Sequence, residues 1–84
     1  MSAVKLEEIP YGTVKATAEL GALVRTKRKA MGLTQADAAA LCNVGNRFLS
    51  ELERGKPSCE VGKVVHVLSN LGIDIVLRPR NAAP

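Results

Sequence analysis

Residues 34–55 read TQADAAALCNVGNRFLSELERG, and their punctuation decides the fold. Thr34 is a good N-cap, because its hydroxyl can accept an orphan backbone N–H of the first helical turn. Gln35 to Cys42 is alanine-rich and carries no breaker, so helix is its lowest-energy local conformation. Asn43 follows the last apolar position, and asparagine is second only to glycine in tolerating a left-handed turn. Asn46 to Arg54 reads as a second helix, closed by Gly55. Only Asn43, Val44 and Gly45 lie between the two, and helices joined by so short a turn form a helix-turn-helix unit.

Spacing then assigns faces. Ala39, with almost no side chain, lets the second helix cross close above the first. Leu49 and Leu52 share the inward face, while Asn46, Arg47 and Ser50 project outward. A cation among hydrogen-bonding groups on a short outer helix suits reading of base edges in a major groove. Arg47 is the leading candidate: its fork can bond guanine O6 and N7 together, worth roughly 1–3 kcal/mol of discrimination. Asn46 can do the same for adenine. Ser50, one turn on, reaches a base or a phosphate. Glu51 repels phosphate and pairs with Arg47 or Arg54. Phe48 either covers the turn beside Leu52 or meets a thymine methyl or a partner protein.

The segment LTQADAAALCNVGNRFLSELERGK resembles the Cro/CI-type (XRE) helix-turn-helix regulators of bacteria and phage. The matching positions are Leu33, Thr34, Gln35, Ala39, Val44, Leu49, Ser50, Leu52, Glu53, Gly55 and Lys56. The likeness extends upstream through Arg28 and Gly32 and downstream through Leu68 and Leu71-Gly72. It departs at Asn43, where the family usually has Gly, at Ala38, where it usually has Leu, and at Gly45, where Ser or Thr often caps the reading helix. The resemblance implies a mainly α, lambda-repressor-like domain of four or five helices that binds double-stranded DNA. It implies an Arg28–Glu53 ion pair holding the first helix to the reading helix, with Arg28 close enough to approach a phosphate. It also implies phosphate contact at Gln35 on a helix N-terminus. Gly45, Asn46, Arg47, Ser50, Arg54 and Lys56 complete the expected DNA-binding set, with Lys56 read as a backbone phosphate contact ahead of the alternative, a plain loop lysine.

Around this unit the chain is divided into an arm at 1–16, the helix-turn-helix domain at 17–72, a strand at 73–79 and a tail at 80–84. The arm carries Pro10 and Gly12 as breakers and reads as irregular or as a short strand. Its Lys5 and Lys15 could follow a phosphate backbone, but the neighbouring Glu7 and Glu8 argue for simple solvation. Thr17 to Met31 reads as the first helix, with Thr17 as cap and Glu19 at the positive end. Leu20, Leu23, Val24 and Met31 form its apolar stripe, and Arg25, Lys27, Arg28 and Lys29 crowd its last turns, where cations suit the helix dipole. Cys59 to Asn70 reads as the last helix, capped by Ser58, with Val61, Val64, Val65, Leu68 and Leu71 buried, Val67 left for a partner, and His66 beside it at a surface.

Ile73 to Pro79, IDIVLRP, is β-branched and extended, a strand of about 20 Å. A lone strand leaves backbone groups unpaired. Pairing Ile73, Ile75, Val76 and Leu77 with a second copy would join two monomers and set two reading helices roughly 34 Å apart on a pseudo-palindromic site; pairing with an N-terminal strand of the same chain is the alternative. Four helices followed by LGIDIVLRPR are similar to the HipB-type antitoxins, which implies autorepression and a HipA-type kinase toxin as partner.

At 84 residues the chain is one domain, small enough to gain from dimerisation. Being 46% hydrophobic argues for a packed domain, and a net charge of +4 is compatible with nucleic acid. Tyr11 and Phe48 are its two aromatics, too few for single-strand stacking. Cys42 and Cys59, with a single histidine, supply no zinc site, and no cofactor is expected. Cys42 reads as a small core residue and Cys59 as a free thiol. No nucleophile–base pair or phosphate-cradling loop points to an enzyme. No signal peptide or membrane span is expected, which places the protein in the bacterial cytoplasm.

Overall fold

The computed structural model describes Ile9 and residues 11–81. Four helices follow in order: α1 (Thr17–Ala30), α2 (Gln35–Cys42), α3 (Asn46–Glu53) and α4 (Val61–Asn70). Val24, Ala38, Ala39, Cys42, Leu49, Leu52, Val64, Val67, Leu68 and Leu71 form one buried cluster to which every helix contributes. Expectations about Lys5, Glu7, Glu8, Pro10 and the last three residues fall outside the described residues. Residues 11–16 carry no regular structure, and Ile9 is buried.

The turn between α2 and α3 forms as its residues dictate. Thr34 Oγ1 accepts the Asp37 N–H at 3.0 Å, and the Asp37 carboxylate accepts the Thr34 N–H at 3.4 Å. Asp37, exposed at the positive end of α2, is thus also half of a reciprocal cap. Asn43 ends α2 in the left-handed region, φ 55° and ψ 45°, which frees its N–H and that of Val44 to close the helix on Ala40 and Ala39 carbonyls. Gly45 then takes the N-cap of α3.

Helix α1 differs from the expectation at both ends. Ala16, not Thr17, is its N-cap, and Glu19 Oε1 accepts the N–H groups of Lys15 and Ala16. The Thr17 hydroxyl instead donates to the Gly55 carbonyl at 2.7 Å, tying α1 to the exit of α3. Met31 lies past the helix end and is 40% exposed, while Arg28 takes its place on the buried stripe. Helix α1 crosses α3 closely at Gly21: a Cβ there would collide with the Leu52 carbonyl oxygen and sit 2.8 Å from that of Glu53. Gly55, at φ 82°, meets the α1 backbone at Ala18 in the same way.

Helix α4 begins later than Ser58 suggests, with Glu60 at its N-cap. Its buried positions are Val64, Val67, Leu68 and Leu71, whereas Val61 and Val65 face outward. Val67, expected to await a partner, is fully buried in its own chain. The small Ala38 is also fully covered, so its departure from the family pattern leaves no exposed gap there.

The expected strand over 73–79 does not form within the chain. Among the described residues there is no β-ladder, and 73–79 run on without helix or strand hydrogen bonding. A strand is defined by its neighbour, and no described segment of this chain offers it an edge. No fifth helix follows α4 among the described residues. The Ile73 N–H closes α4 on the Leu68 carbonyl at 2.8 Å, and Ile73 packs against the core.

Candidate nucleic-acid interface

Helix α3 is held from below by one carboxylate. Glu53 Oε2 accepts Arg28 Nε at 2.6 Å, and Oε1 accepts both Arg28 Nη2 at 3.0 Å and Gln35 Nε2 at 3.1 Å. Arg28 Nη1 donates to the Leu33 carbonyl at 2.8 Å. Three helices therefore meet on Glu53, whose side chain is only 2% exposed. Burying charges is tolerable here because each is paired and its remaining donors or acceptors are met. Arg28, expected to approach a phosphate, is buried with its guanidinium turned inward on these partners. Gln35 is half-buried, and its amide faces Glu53 rather than solvent.

The opposite face of α3 is open. Gly45, Asn46, Arg47 and Arg54 are exposed, and Ser50 is half-buried between them. Lys56 stands exposed just past the helix. Glu51 bridges two of these cations, accepting Arg47 Nε at 3.2 Å through Oε2 and Lys56 Nζ at 3.2 Å through Oε1. Arg54, the other partner considered for Glu51, is not in the pair. The hydrogen bond from Lys56, and then that from Arg47, hold the Glu51 carboxyl below its ordinary pKa. Phe48 takes the packing role, half-buried against the core, with Lys63 Nζ 5.7 Å from its ring centroid.

Sequence reasoning brought Asn46, Arg47 and Ser50 to one outer face and missed two things. The Gln35–Glu53 contact joins residues 18 apart and has no local signature. The double engagement of Glu51 was half visible, since Arg47 and Glu51 are four apart on a helix, the spacing at which side chains meet.

Cys42 is buried, its thiol 4.0 Å from the Val67 carbonyl, and burial pushes its pKa up. Cys59 is half-buried and free. Among the described residues no group of three or more His, Cys, Asp or Glu side chains could hold a metal ion, and no helix is long and apolar enough to cross a membrane.

Residues 10–78 match the sequence profile of a family described as a helix-turn-helix domain. This chain belongs to that family. The helix-turn-helix assignment is supported by a relative from Sinorhizobium fredii (strain NBRC 101917 / NGR234), named an uncharacterized HTH-type transcriptional regulator, y4mF. It is 46% identical over 67 residues, covering 79% of this chain and 88% of the relative. A solved structure titled "MDT Protein" superposes with a TM-score of 0.75 over 84% of this chain and 100% of that one. At 15% identity it speaks for the helix-turn-helix fold alone.

Proposed function

We propose that this chain is a sequence-specific DNA-binding transcriptional repressor that acts as a dimer. One observation carries the reading: α3 is fixed from beneath by the buried Arg28–Glu53 pair and the half-buried Gln35 while its outer face leaves Asn46 and Arg47 exposed. A helix held by its underside and polar on its outer face can enter a major groove without rearranging the core. Arg47 and Asn46 then read base edges, and Ser50 a base or phosphate. Lys56, Arg54, and the N–H groups at the starts of α2 and α3, at Gln35 and Gly45, bind the backbone. Phosphate contacts provide most of the affinity and base contacts the choice of site. Repression is by occlusion of polymerase. The relative's name, a transcriptional regulator, supports this reading.

Dimerisation would use Ile75, Val76 and Leu77, which are 49%, 76% and 89% exposed. Ile73 belongs to the monomer core and contributes only at its margin. Three consecutive exposed apolar residues whose backbone makes no strand pairing within the chain are the kind of segment that recruits another strand. A narrower reading, as the antitoxin of a toxin–antitoxin operon with a HipA-type kinase as second partner, rests on the likeness of LGIDIVLRPR to the HipB-type antitoxins and assigns no residue to the toxin contact.

The test is footprinting of the full chain on the DNA upstream of its own gene across a salt series. A protected pseudo-palindrome with steeply salt-dependent affinity is expected. Absence of salt-dependent binding would replace this reading with a protein-interaction module. Repeating the footprint with a neighbouring kinase-like protein separates antitoxin from solitary repressor, since only an antitoxin's footprint and co-purification respond to it.

A further inference from the structure

We propose that Glu51 is a positioning residue for sequence reading: it grips Arg47 sideways at Nε and thereby aims the end of the guanidinium at a base. The inference rests on the DNA-binding reading above. The Arg47 side chain is 90% exposed, so packing does not fix its rotamer. A guanidinium has five N–H donors in a rigid fork. With Nε–H spent on Glu51 Oε2 at 3.2 Å, the two terminal NH2 groups remain as the parallel pair that matches guanine O6 and N7. An arginine held this way before binding loses less rotamer freedom on binding. The other oxygen, Oε1, holds Lys56 Nζ at 3.2 Å, so one carboxylate sets both a base-reading and a backbone-binding cation.

The same charge has a second effect, opposite in sign. An acid on the surface facing DNA weakens attraction to any duplex, whatever its sequence. Glu51 therefore trades general affinity for discrimination. Two rival roles give different signatures. An acid that merely repels DNA would, when removed, raise affinity for all sequences and leave their ratio unchanged. An acid that merely supports the helix would, when removed, lower the melting temperature.

The experiment uses the full chain and a duplex selected from a random pool by the wild-type protein. Single base-pair replacements identify the guanine whose loss is penalised by the wild type and not by R47A; the expected penalty is about 5- to 150-fold. With E51A that penalty should fall to within about threefold, while affinity for an unrelated duplex rises several-fold, with an unchanged melting curve. E51Q, whose side-chain carbonyl can still accept from Nε–H, should keep more of the penalty than E51A while sharing its gain in general affinity. Adding E51A to R47A should cause no further loss of discrimination. If E51A keeps the full guanine penalty, or E51A and E51Q retain the same fraction of it, the positioning role is overturned and DNA reading stands. If the wild type binds no duplex, both are overturned.

Discussion

The Arg28 guanidinium and the Glu53 carboxylate meet side-on, Nε to Oε2 at 2.6 Å and Nη2 to Oε1 at 3.0 Å, with side chains 8% and 2% exposed. Such a pair contributes little net stability relative to a well-packed apolar pair, but losing one partner strands a buried charge. Glu53→Ala should therefore lower unfolding free energy by about 3–5 kcal/mol, most of the reserve of a small domain. Arg28→Met with Glu53→Leu should recover much of that loss. Urea unfolding checks both; an E53A loss below about 1 kcal/mol, the range of surface pairs, would remove the clasp from the account.

Glycine positions should rank by what surrounds them. Gly21→Ala drives a methyl into the Leu52 carbonyl and should cost about 1–3 kcal/mol as α1 and α3 separate. Gly32 has φ 75° with open space around it, so Gly32→Ala should lose only the left-handed penalty, about 1–2 kcal/mol. Gly45 has φ −74°, and a Cβ at this position would meet nothing within 4 Å, so Gly45→Ser is free to cap α3 and should gain a few tenths of a kcal/mol. Thermal melts of the three variants give the order directly, and a stable G21A would contradict the close crossing.

Lys56 lies beyond the helix end, with a side chain 43% exposed, and is assigned to phosphate rather than to a base. Lys56→Ala should weaken all duplexes by a similar factor and reduce the slope of log K against log salt by about one. A loss confined to one preferred sequence would reassign Lys56 to base reading.

The proposed dimer depends on the apolar run after Ile73. Val76→Asp with Leu77→Asp changes residues that are 76% and 89% exposed, so the monomer fold should survive. Sedimentation should shift from dimer to monomer, with circular dichroism unchanged. A double variant that stays dimeric would place the interface elsewhere, with exposed Val61 and Val65 on α4 the next surface to test.

Acid should act on Glu51 later than on an ordinary glutamate. Its folded pKa is lowered, by Lys56 first and Arg47 second, so the pairing contributes fully above the unfolded value of about 4.3 and is lost as pH falls through the lower folded value. A side-chain carboxyl titration followed by NMR should show a midpoint below that of a glutamate in an unstructured peptide. The midpoint should move up in K56A. Coincident midpoints for wild type and peptide would mean the pairs do not persist in solution.

The turn from Thr34 to Gly55 was legible because its determinants are local: a capping threonine, an alanine run, and an asparagine at φ 55°. Helix α4 was less so. Val61, Val64, Val65 and Leu68 have the spacing of a buried stripe, and so do Val64, Val67, Leu68 and Leu71. Hydrophobicity cannot choose between two overlapping valine-rich stripes; the packing of Val67 against the other helices does. Gly21 carries no local sign of its role, since a glycine inside a helix reads only as a weak spot until the helix crossing it is known. Thr17 had two partners available, its own helix end and the distant Gly55 carbonyl, and sequence displays only the first. On the outer surface, the exposure of Asn46 and Arg47 followed from spacing, whereas the inward turn of the Gln35 amide depended on where Glu53 came to rest.

Because Glu53 anchors three helices at once, the pose of α3 is inherited from residues on its inner side. On the proposed reading, Asn46, Arg47 and Ser50 are then exchangeable lettering on a fixed mount. Under the proposed DNA-reading role, a lineage carrying this scaffold would acquire new genomic addresses by exchanging those few side chains, with the clasp beneath α3 left as it is.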